Sequence, residues 1–135
     1  MAKSCFMFSY HHFSYWIVVF PAQGYSTLHS LKTVIKAIQD LRASIRYFRM
    51  DDELYDSFRI DSNRIYAGGV SAGAIASLNS AYLNTEEEAL SLITSEHLES
   101  LGGLEGDSGT PGYSSEVHGI VNLCGAIGHY NWIIQ

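Results

Sequence analysis

The sequence has few cysteines, few basic residues and no long apolar run. Its two cysteines, Cys5 and Cys124, are too few and too far apart along the chain for a disulfide framework. The 135 residues carry a formal net charge of −6. No basic stripe is present to contact phosphates, which argues against a nucleic-acid-binding protein. No stretch reaches the roughly 20 apolar residues that a membrane-spanning helix needs.

Metal-binding motifs are absent as well. The six histidines include the pair His11-His12, but none lies in an H-x-x-x-H or H-E-x-x-H arrangement. We therefore expect neither a metal nor another cofactor. The aromatic-rich N-terminus loosely resembles a secretory signal peptide, but the histidine pair interrupts its apolar run and no A-x-A cleavage site follows. The localisation stays open, secretion and the periplasm included.

The residues that are present are typical of one globular α/β domain. The composition is 47% hydrophobic and 16% charged, and the length allows a single core. Strands are predicted at residues 15–20, 64–67 and 117–125, with helices between them. This alternation favours an α/β fold with a mostly parallel sheet.

The longest predicted helix is amphipathic. Ser26, Thr27 or Ser30 would cap its start, and the acidic cluster at residues 51–53 is predicted to follow its end. Apolar residues at spacings of one, three and four form one stripe, namely Leu31, Val34, Ile35, Ile38, Leu41, Ile45 and Phe48. A basic face, which we expect to be solvated, carries Lys32, Lys36, Arg42, Arg46 and Arg49.

The C-terminal half adds a helix and a loop. Residues 84–100 predict a surface helix that Asn84 or Thr85 would cap, with glutamates in its first turn. Residues 101–116 contain five glycines and a proline and predict a loop. The acids of that loop, Glu105 and Asp107, are expected to be ordinary loop polar residues.

A glycine-rich stretch near the middle of the chain is the most informative about function. Residues 69–73 match the pattern G-x-S-x-G, with Ser71 at its centre. The preceding residues predict a short strand that Gly68 and Gly69 would stop, and the following residues predict a helix. A nucleophile elbow needs this order of strand, tight turn and helix. The context favours Ser71 as a nucleophile over a serine in a structural turn.

The elbow gives its neighbours defined roles. A serine hydroxyl is a weak nucleophile until a base removes its proton, and the elbow exposes it to a histidine from a distant loop. The backbone N–H of Ala72 would face the developing oxyanion, and the helix dipole would add to this. Gly69 and Gly73 would be needed because side chains there would collide with the adjacent strand or helix.

The chain resembles the α/β-hydrolase fold, in particular its carboxylesterase and lipase-like group, in three stretches: AIQDLRASIRYFR, YDSFRIDSNRIYAGGVSAGAIASLNSAYL and GYSSEVHGIVNLCGAIG. The elbow, together with the preceding helix that carries Asp40 and Arg42, is the most specific part. The resemblance implies three α/β/α layers and a partial α/β-hydrolase domain over residues 26–135. Residues 1–25 match poorly and contain one predicted strand.

The resemblance also implies a reaction. Ser71 would attack the carbonyl of a small carboxylic ester, form an acyl-enzyme and release the acyl group to water. In this family an acid and then a histidine follow the serine. His129, after the last predicted strand, is the candidate base. His97 is expected on a solvated helix face, and His118 is expected to pack within a strand.

Some parts of the family pattern have no counterpart in this sequence. Sixty-two residues follow Gly73 (135 − 73), which leaves no room for the later strands that carry the acid and the histidine, and no H-G-G-G loop precedes the elbow. We therefore expect an incomplete, weakly active or inactive copy whose exposed sheet edges favour self-association. Two alternatives stay open: a non-catalytic binding module of this fold, and a serine peptidase with the same elbow.

Overall fold

The computed structural model describes residues 5–10, 13–18, 27–107 and 109–125, with side chains from residue 31 onward. A short 3₁₀ turn, Ser62–Arg64, precedes the third strand. In chain order the other elements are β1 (Cys5–Tyr10), β2 (Phe13–Val18), α1 (Thr27–Leu54), β3 (Ile65–Val70), α2 (Ala72–Tyr82), α3 (Glu86–Ala89), α4 (Ser95–Glu99) and β4 (Gly119–Leu123). No described helix combines the length and the apolar character needed to cross a bilayer.

The four strands form one sheet in the order β1-β2-β3-β4. β1 pairs antiparallel with β2, whereas β2, β3 and β4 run parallel to one another. Parallel neighbours need a long crossover, which α1 provides between β2 and β3, and α2 with the following segments provides between β3 and β4. The chain is therefore of the α/β class, as the alternating pattern predicted.

Both long helices lie on the same face of the sheet. Ile65 and Ala67 of β3 are buried against the apolar stripe of α1. Side chains alternate between the two faces along a strand, so a Cβ atom on Gly69 would lie on the same face as Ile65 and Ala67. On that face Gly69 lies against Gly73 of α2. This face of β3 carries one of the two apolar core clusters of the described residues.

The other face of β3 and β4 is half exposed in the described part of the chain. Val70, Val121 and Leu123 are 49%, 45% and 50% exposed. Val121 lies beside Gly68, where a Cβ atom would be 3.1 Å from the Val121 Cβ. The described residues thus form two layers, one of strands and one of helices.

The strands differ from the predicted ones in four places. β4 (Gly119–Leu123) is shorter at both ends than the strand predicted at residues 117–125, because Cys124 and Gly125 form a turn. β1 was not predicted, and the strand predicted at residues 15–20 is described from Phe13 to Val18, since residues 19 and 20 lie outside the described residues. β3 continues through Gly68 and Gly69 to Val70 instead of stopping at the glycines. These glycines stay in the strand because β4 and α2 approach it too closely for larger side chains.

α1 continues through the acidic cluster that was predicted to follow it. Asp51 is 1% exposed and its carboxylate accepts a hydrogen bond from the Phe58 N–H at 3.1 Å. Asp52 accepts one from the Ser62 N–H at 3.3 Å. These carboxylates fasten the segment between α1 and β3, so the acids belong to the helix rather than to the loop after it.

The basic face of α1 is not solvated throughout, contrary to the prediction. Arg42 and Arg46 are only 4% and 5% exposed, because the glycine-rich loop folds back over them. Arg42 Nη1 lies 2.5 Å from Glu105 Oε1, and Arg46 forms an ion pair with the other oxygen of that carboxylate. Arg42 also donates to the carbonyls of Ser80, at 2.9 Å, and Leu83. The two arginines thus hold the loop and α2 on α1.

The helix predicted over residues 84–100 is divided into α3 and α4. Thr85 caps α3 as predicted, in a capping box: its hydroxyl accepts from the Glu88 N–H, and the Glu88 carboxylate accepts from the Thr85 N–H. The break between the helices brings Ala89, Ile93 and Leu98 into one apolar cluster with the first half of α1. Burial of these side chains outweighs continuation of a single helix.

Candidate active site

Ser71 lies in the tight turn between β3 and α2, at the carboxyl end of β3. Its backbone angles are φ 53° and ψ −113°. Residues other than glycine rarely adopt such angles, because Cβ crowds the neighbouring backbone. The strand, the turn and the helix of the predicted context are all present around the serine.

Helix capping does not explain the serine. Ser71 occupies the N-cap position of α2, where a serine ordinarily has an extended backbone and accepts a hydrogen bond from a helix N–H. Ser71 has a positive φ and makes no side-chain capping bond. A strained residue without a capping role indicates a functional constraint at this position.

Hydrogen bonds hold the main chain of Ser71 at both its N–H and its carbonyl group. Its N–H donates to the Leu123 carbonyl of β4 at 2.9 Å. Its carbonyl accepts from the Ile75 N–H at 3.0 Å, the first hydrogen bond of α2. Ser71 itself is exposed, whereas the next residues of α2, Gly73 and Ala74, are buried. The turn therefore holds a serine at the protein surface in one backbone conformation.

The backbones of Gly69 in β3 and Gly73 in α2 lie against each other. A Cβ atom on Gly69 would lie 2.6 Å from the Gly73 carbonyl oxygen and 2.8 Å from the Ala74 N. Both atoms belong to the backbone, so neither can move without shifting α2. The structure gives Gly69 the steric role that the elbow pattern assigns to it.

Ala72 is the first residue of α2. The first four N–H groups of a helix have no partner within it, and the helix dipole places positive partial charge at the same end. An oxygen atom that becomes negative beside Ser71 would therefore face favourable donors.

The histidines whose side chains are described lie away from Ser71. His118 is held at the start of β3: its N–H donates to the Ile65 carbonyl at 2.8 Å, and its Nδ1 accepts from the Ile65 N–H at 3.2 Å. Ser71 follows the other end of that strand, roughly 20 Å away at the usual rise per residue. His97 is hydrogen-bonded to Thr94 at 2.7 Å, and the next residue, Leu98, packs in one apolar cluster with Leu83, which follows the end of α2 opposite to Ser71. Neither can act as the base for Ser71.

The candidate base His129 lies outside the described residues. The last described residue before it, Gly125, contacts the first turn of α2. Of the loop acids, Glu105 is occupied by the two buried arginines. The described residues therefore do not test whether His129 lies close to Ser71.

A second tight turn lies beside the elbow, and the sequence did not predict it. The Asn122 side-chain oxygen accepts from the Gly125 N–H at 2.7 Å, which closes a turn at the end of β4. Within it Cys124 has φ 57° and an exposed free thiol. A Cβ atom on Gly125 would lie 2.5 Å from the Ala74 Cβ. This turn therefore packs directly on the start of α2.

A cavity of about 820 Å³ lies elsewhere, between α1, the end of α2 and the glycine-rich loop. Its lining includes Arg42, Ser80 and Tyr113 but no residue of the elbow. Ser80 is nine residues along α2 from Ser71, about 13 Å at the helical rise. This cavity is therefore distinct from a site at Ser71.

Comparisons of the chain with protein-family models, with curated proteins and with solved structures found no match. We infer what the site can do chemically from its geometry. An exposed serine hydroxyl is held in a strained turn at the N-terminus of a helix, next to the carboxyl ends of two parallel strands. This arrangement suits attack on a carbonyl carbon and stabilisation of the oxyanion that forms.

Proposed function

We propose that this chain is a carboxylic-ester hydrolase of the serine type, with Ser71 as the nucleophile. The observation that carries the proposal is the backbone of Ser71, with φ 53° and ψ −113° in a strand-turn-helix. Such a conformation costs about 1–3 kcal/mol in a residue with a Cβ atom. A serine that only formed a turn would gain nothing in return, because Ser71 makes no capping bond.

The proposed reaction has two steps. Ser71 Oγ bonds to the ester carbonyl carbon while a base takes its proton, and the resulting oxyanion is stabilised by the Ala72 N–H. The bond to the alcohol then breaks, and the alcohol leaves with that proton. A water molecule repeats the attack on the acyl-enzyme, releases the carboxylic acid and restores the serine. His129 is our candidate for the base.

We also propose that the described two-layer arrangement is part of a three-layer α/β-hydrolase fold. The apolar, half-exposed side chains of Val70, Val121 and Leu123 support this, since a further layer of helices would bury them. We propose weak turnover by the 135-residue chain, because neither described histidine side chain reaches Ser71.

The edge of the described sheet supports the proposed self-association. β4 forms one end of that sheet, and its outer edge has no partner strand among the described residues. Edge strands of this kind pair readily with another chain, and a lysine on them opposes such pairing. In sedimentation velocity experiments we expect the average sedimentation coefficient of the wild type to increase with protein concentration, and that of Val121→Lys to increase less. Identical behaviour of the two proteins would contradict association through β4.

The test of the proposed reaction is covalent labelling with a fluorophosphonate probe, which needs a single turnover. Ser71 Oγ would bond to the probe phosphorus and displace fluoride, so we expect the wild type to gain the mass of one probe less HF on the peptide that contains Ser71, and Ser71→Ala to gain none. Ser95→Ala, which removes an exposed serine of α4, is the matched control and should label like the wild type. A folded wild type that does not label at Ser71 would favour the non-catalytic module instead.

Substrate assays separate the two hydrolase classes. We expect slow release of p-nitrophenol from short acyl esters and no release of p-nitroaniline from peptide anilides. Hydrolysis of the anilides at a rate similar to that of the esters would favour the serine peptidase, since both classes use the same elbow.

A further inference from the structure

Two contacts connect the elbow to the turn after β4, and a third contact, made by the side chain of Asn122, closes that turn. We infer that Asn122 is a positioning residue for Ser71, acting through the main chain of Leu123 and Gly125. The inference rests on the proposed function, because it concerns the reactivity of Ser71. It adds a residue that the G-x-S-x-G pattern does not contain.

The first contact fixes the turn itself. The Asn122 side-chain oxygen accepts from the Gly125 N–H at 2.7 Å, and Cys124 between them has φ 57°. A left-handed residue without such a bond would relax towards a more populated conformation. The carboxamide of Asn122 thus compensates the cost of the Cys124 conformation.

The second contact passes from this turn to Ser71. Leu123, the residue after Asn122, accepts the Ser71 N–H at 2.9 Å. This hydrogen bond to the neighbouring strand β4 holds the N–H of the strained residue in place. If the turn after β4 opened, the Leu123 carbonyl would change direction and Ser71 could move away from φ 53°.

The third contact places the turn against α2. A Cβ atom on Gly125 would lie 2.5 Å from the Ala74 Cβ and 2.5 Å from the Asn122 side-chain oxygen. Gly125 is therefore enclosed by α2 on one side and by Asn122 on the other. The side chain of Asn122 sets the distance between the end of β4 and the start of α2, where Ala72 would bind the oxyanion.

The side chain of Asn122 is used through its oxygen. Its nitrogen is buried and has no hydrogen-bond partner among the described residues. An unsatisfied buried donor costs free energy, and a purely apolar side chain would avoid that cost. The acceptor that holds Gly125 is thus the group through which Asn122 contributes, and an aspartate would supply the same acceptor.

The test compares rates of fluorophosphonate labelling at saturating probe. Asn122→Leu keeps the branched shape of the side chain, is somewhat larger and removes the acceptor, and we expect its rate constant to fall about tenfold or more, because small displacements of a nucleophile are costly. Asn122→Asp keeps the acceptor and should stay within about threefold of the wild type by the same reasoning. The concentration of probe at half-saturation should change less than the rate constant.

The matched control is Asp61→Ala. Asp61 accepts from the Asn63 N–H at 2.9 Å in a comparable turn, but at the amino end of β3. Its loss should lower the unfolding midpoint without slowing the labelling of Ser71. Far-UV circular dichroism and thermal unfolding of each variant establish that the labelled protein is folded, and Asn122→Ala replaces Asn122→Leu if the latter does not fold.

The outcomes separate the two proposals. A wild type that does not label at Ser71 rejects the proposed function, and with it this inference. A wild type that labels, together with a folded Asn122→Leu or Asn122→Ala that labels at the same rate, rejects the inference alone. Slow labelling of these variants with normal labelling of Asn122→Asp and Asp61→Ala supports it.

Discussion

A Cβ atom on Gly69 of β3 would lie 2.6 Å from the carbonyl oxygen of Gly73 of α2. The two glycines of the G-x-S-x-G pattern are therefore in contact with each other and leave Ser71 at the top of the turn. The contact is between backbones, so no side chain can rotate to make room for a larger residue. The pattern describes a packing requirement as well as a chemical one.

Gly69→Ala should be strongly destabilising. The added methyl group would meet the Gly73 carbonyl oxygen and the Ala74 N, neither of which can turn aside as a side chain can. We expect a loss of about 2–3 kcal/mol in the free energy of unfolding, at the upper end for an overpacked site. Urea denaturation of the two proteins measures this difference.

Gly119→Ala is the control for that substitution. Its Cβ atom would meet only the ring of Tyr66, at 3.1 Å and 3.2 Å, and a ring edge can shift by a few tenths of an ångström. We expect a change below about 1 kcal/mol, as for a mildly crowded site. Equal losses in the two variants would show that the backbone contact between Gly69 and Gly73 has no special cost.

Ser71→Gly should be more stable than Ser71→Ala, although both lack the nucleophile. Alanine keeps the Cβ atom that is strained at φ 53° and ψ −113°, whereas glycine adopts these angles freely. Relief of about 1–3 kcal/mol of strain, less about 0.5–1 kcal/mol for the freer unfolded chain, leaves an expected difference of about 1 kcal/mol. Urea denaturation measures it.

The same pair of substitutions at Ser44 should give the opposite order. Ser44 lies inside α1, where its hydroxyl donates to the Asp40 carbonyl at 2.8 Å and the backbone is helical. Glycine in a helix interior is less stable than alanine by about 1 kcal/mol. If glycine is the less stable residue at both positions, Ser71 carries no strain.

The sequence was sufficient to predict the elements that have strong local signals. The spacing of the apolar stripe from Leu31 to Phe48 gave the helix that covers β3, and the small residues after Ser71 gave α2. The glycines at 68 and 69 were misinterpreted as the end of a strand. Their presence inside β3 depends on how closely β4 and α2 approach, and that distance has no local signature.

The contacts made by distant residues were not predictable in the same way. Arg42 and Arg46 have the spacing of an exposed helix face, and only the fold of the loop that carries Glu105 shows that they are buried. Asn122 likewise belongs to a predicted strand, and its role follows from the neighbouring Ser71 turn. The G-x-S-x-G motif is recognised from five consecutive residues, but the carbonyl that accepts the Ser71 N–H belongs to Leu123 of another strand.

Glu88 should make part of the stability depend on pH. The N–H groups of Asn84 and Thr85 donate to its carboxylate and hold its pKa below the ordinary value in the folded protein. A carboxyl with a lowered folded-state pKa stabilises the fold above its unfolded pKa, and this contribution is lost as the pH falls through the folded value.

Glu88→Gln tests that contribution, since glutamine can form the same capping box without titrating. We expect the variant to be less stable than the wild type at neutral pH, with a difference that shrinks as the pH falls from about 5 to about 3, around the ordinary glutamate pKa. Urea denaturation across that range measures it. A difference that stays constant with pH would show that the charge of Glu88 contributes nothing.

Glu105→Ala should destabilise the fold while leaving the geometry of Ser71 intact. The substitution leaves Arg42 and Arg46 without their shared carboxylate, although both guanidinium groups remain buried. Removing one partner of a fully buried ion pair costs about 3–5 kcal/mol. Because the Glu105 side chain is 50% exposed, we expect a smaller loss of about 2 kcal/mol.

Glu99→Gln, which changes an exposed glutamate at the end of α4, is the control and should stay within about 0.5 kcal/mol of the wild type. Urea denaturation measures both variants, and fluorophosphonate labelling measures the site. Arg42 contacts the carbonyls of Ser80 and Leu83, so the ion pairs lie at the end of α2 that is distant from Ser71. Labelling of folded Glu105→Ala should therefore proceed at the wild-type rate. Slow labelling without a loss of stability would instead connect the loop to the site at Ser71.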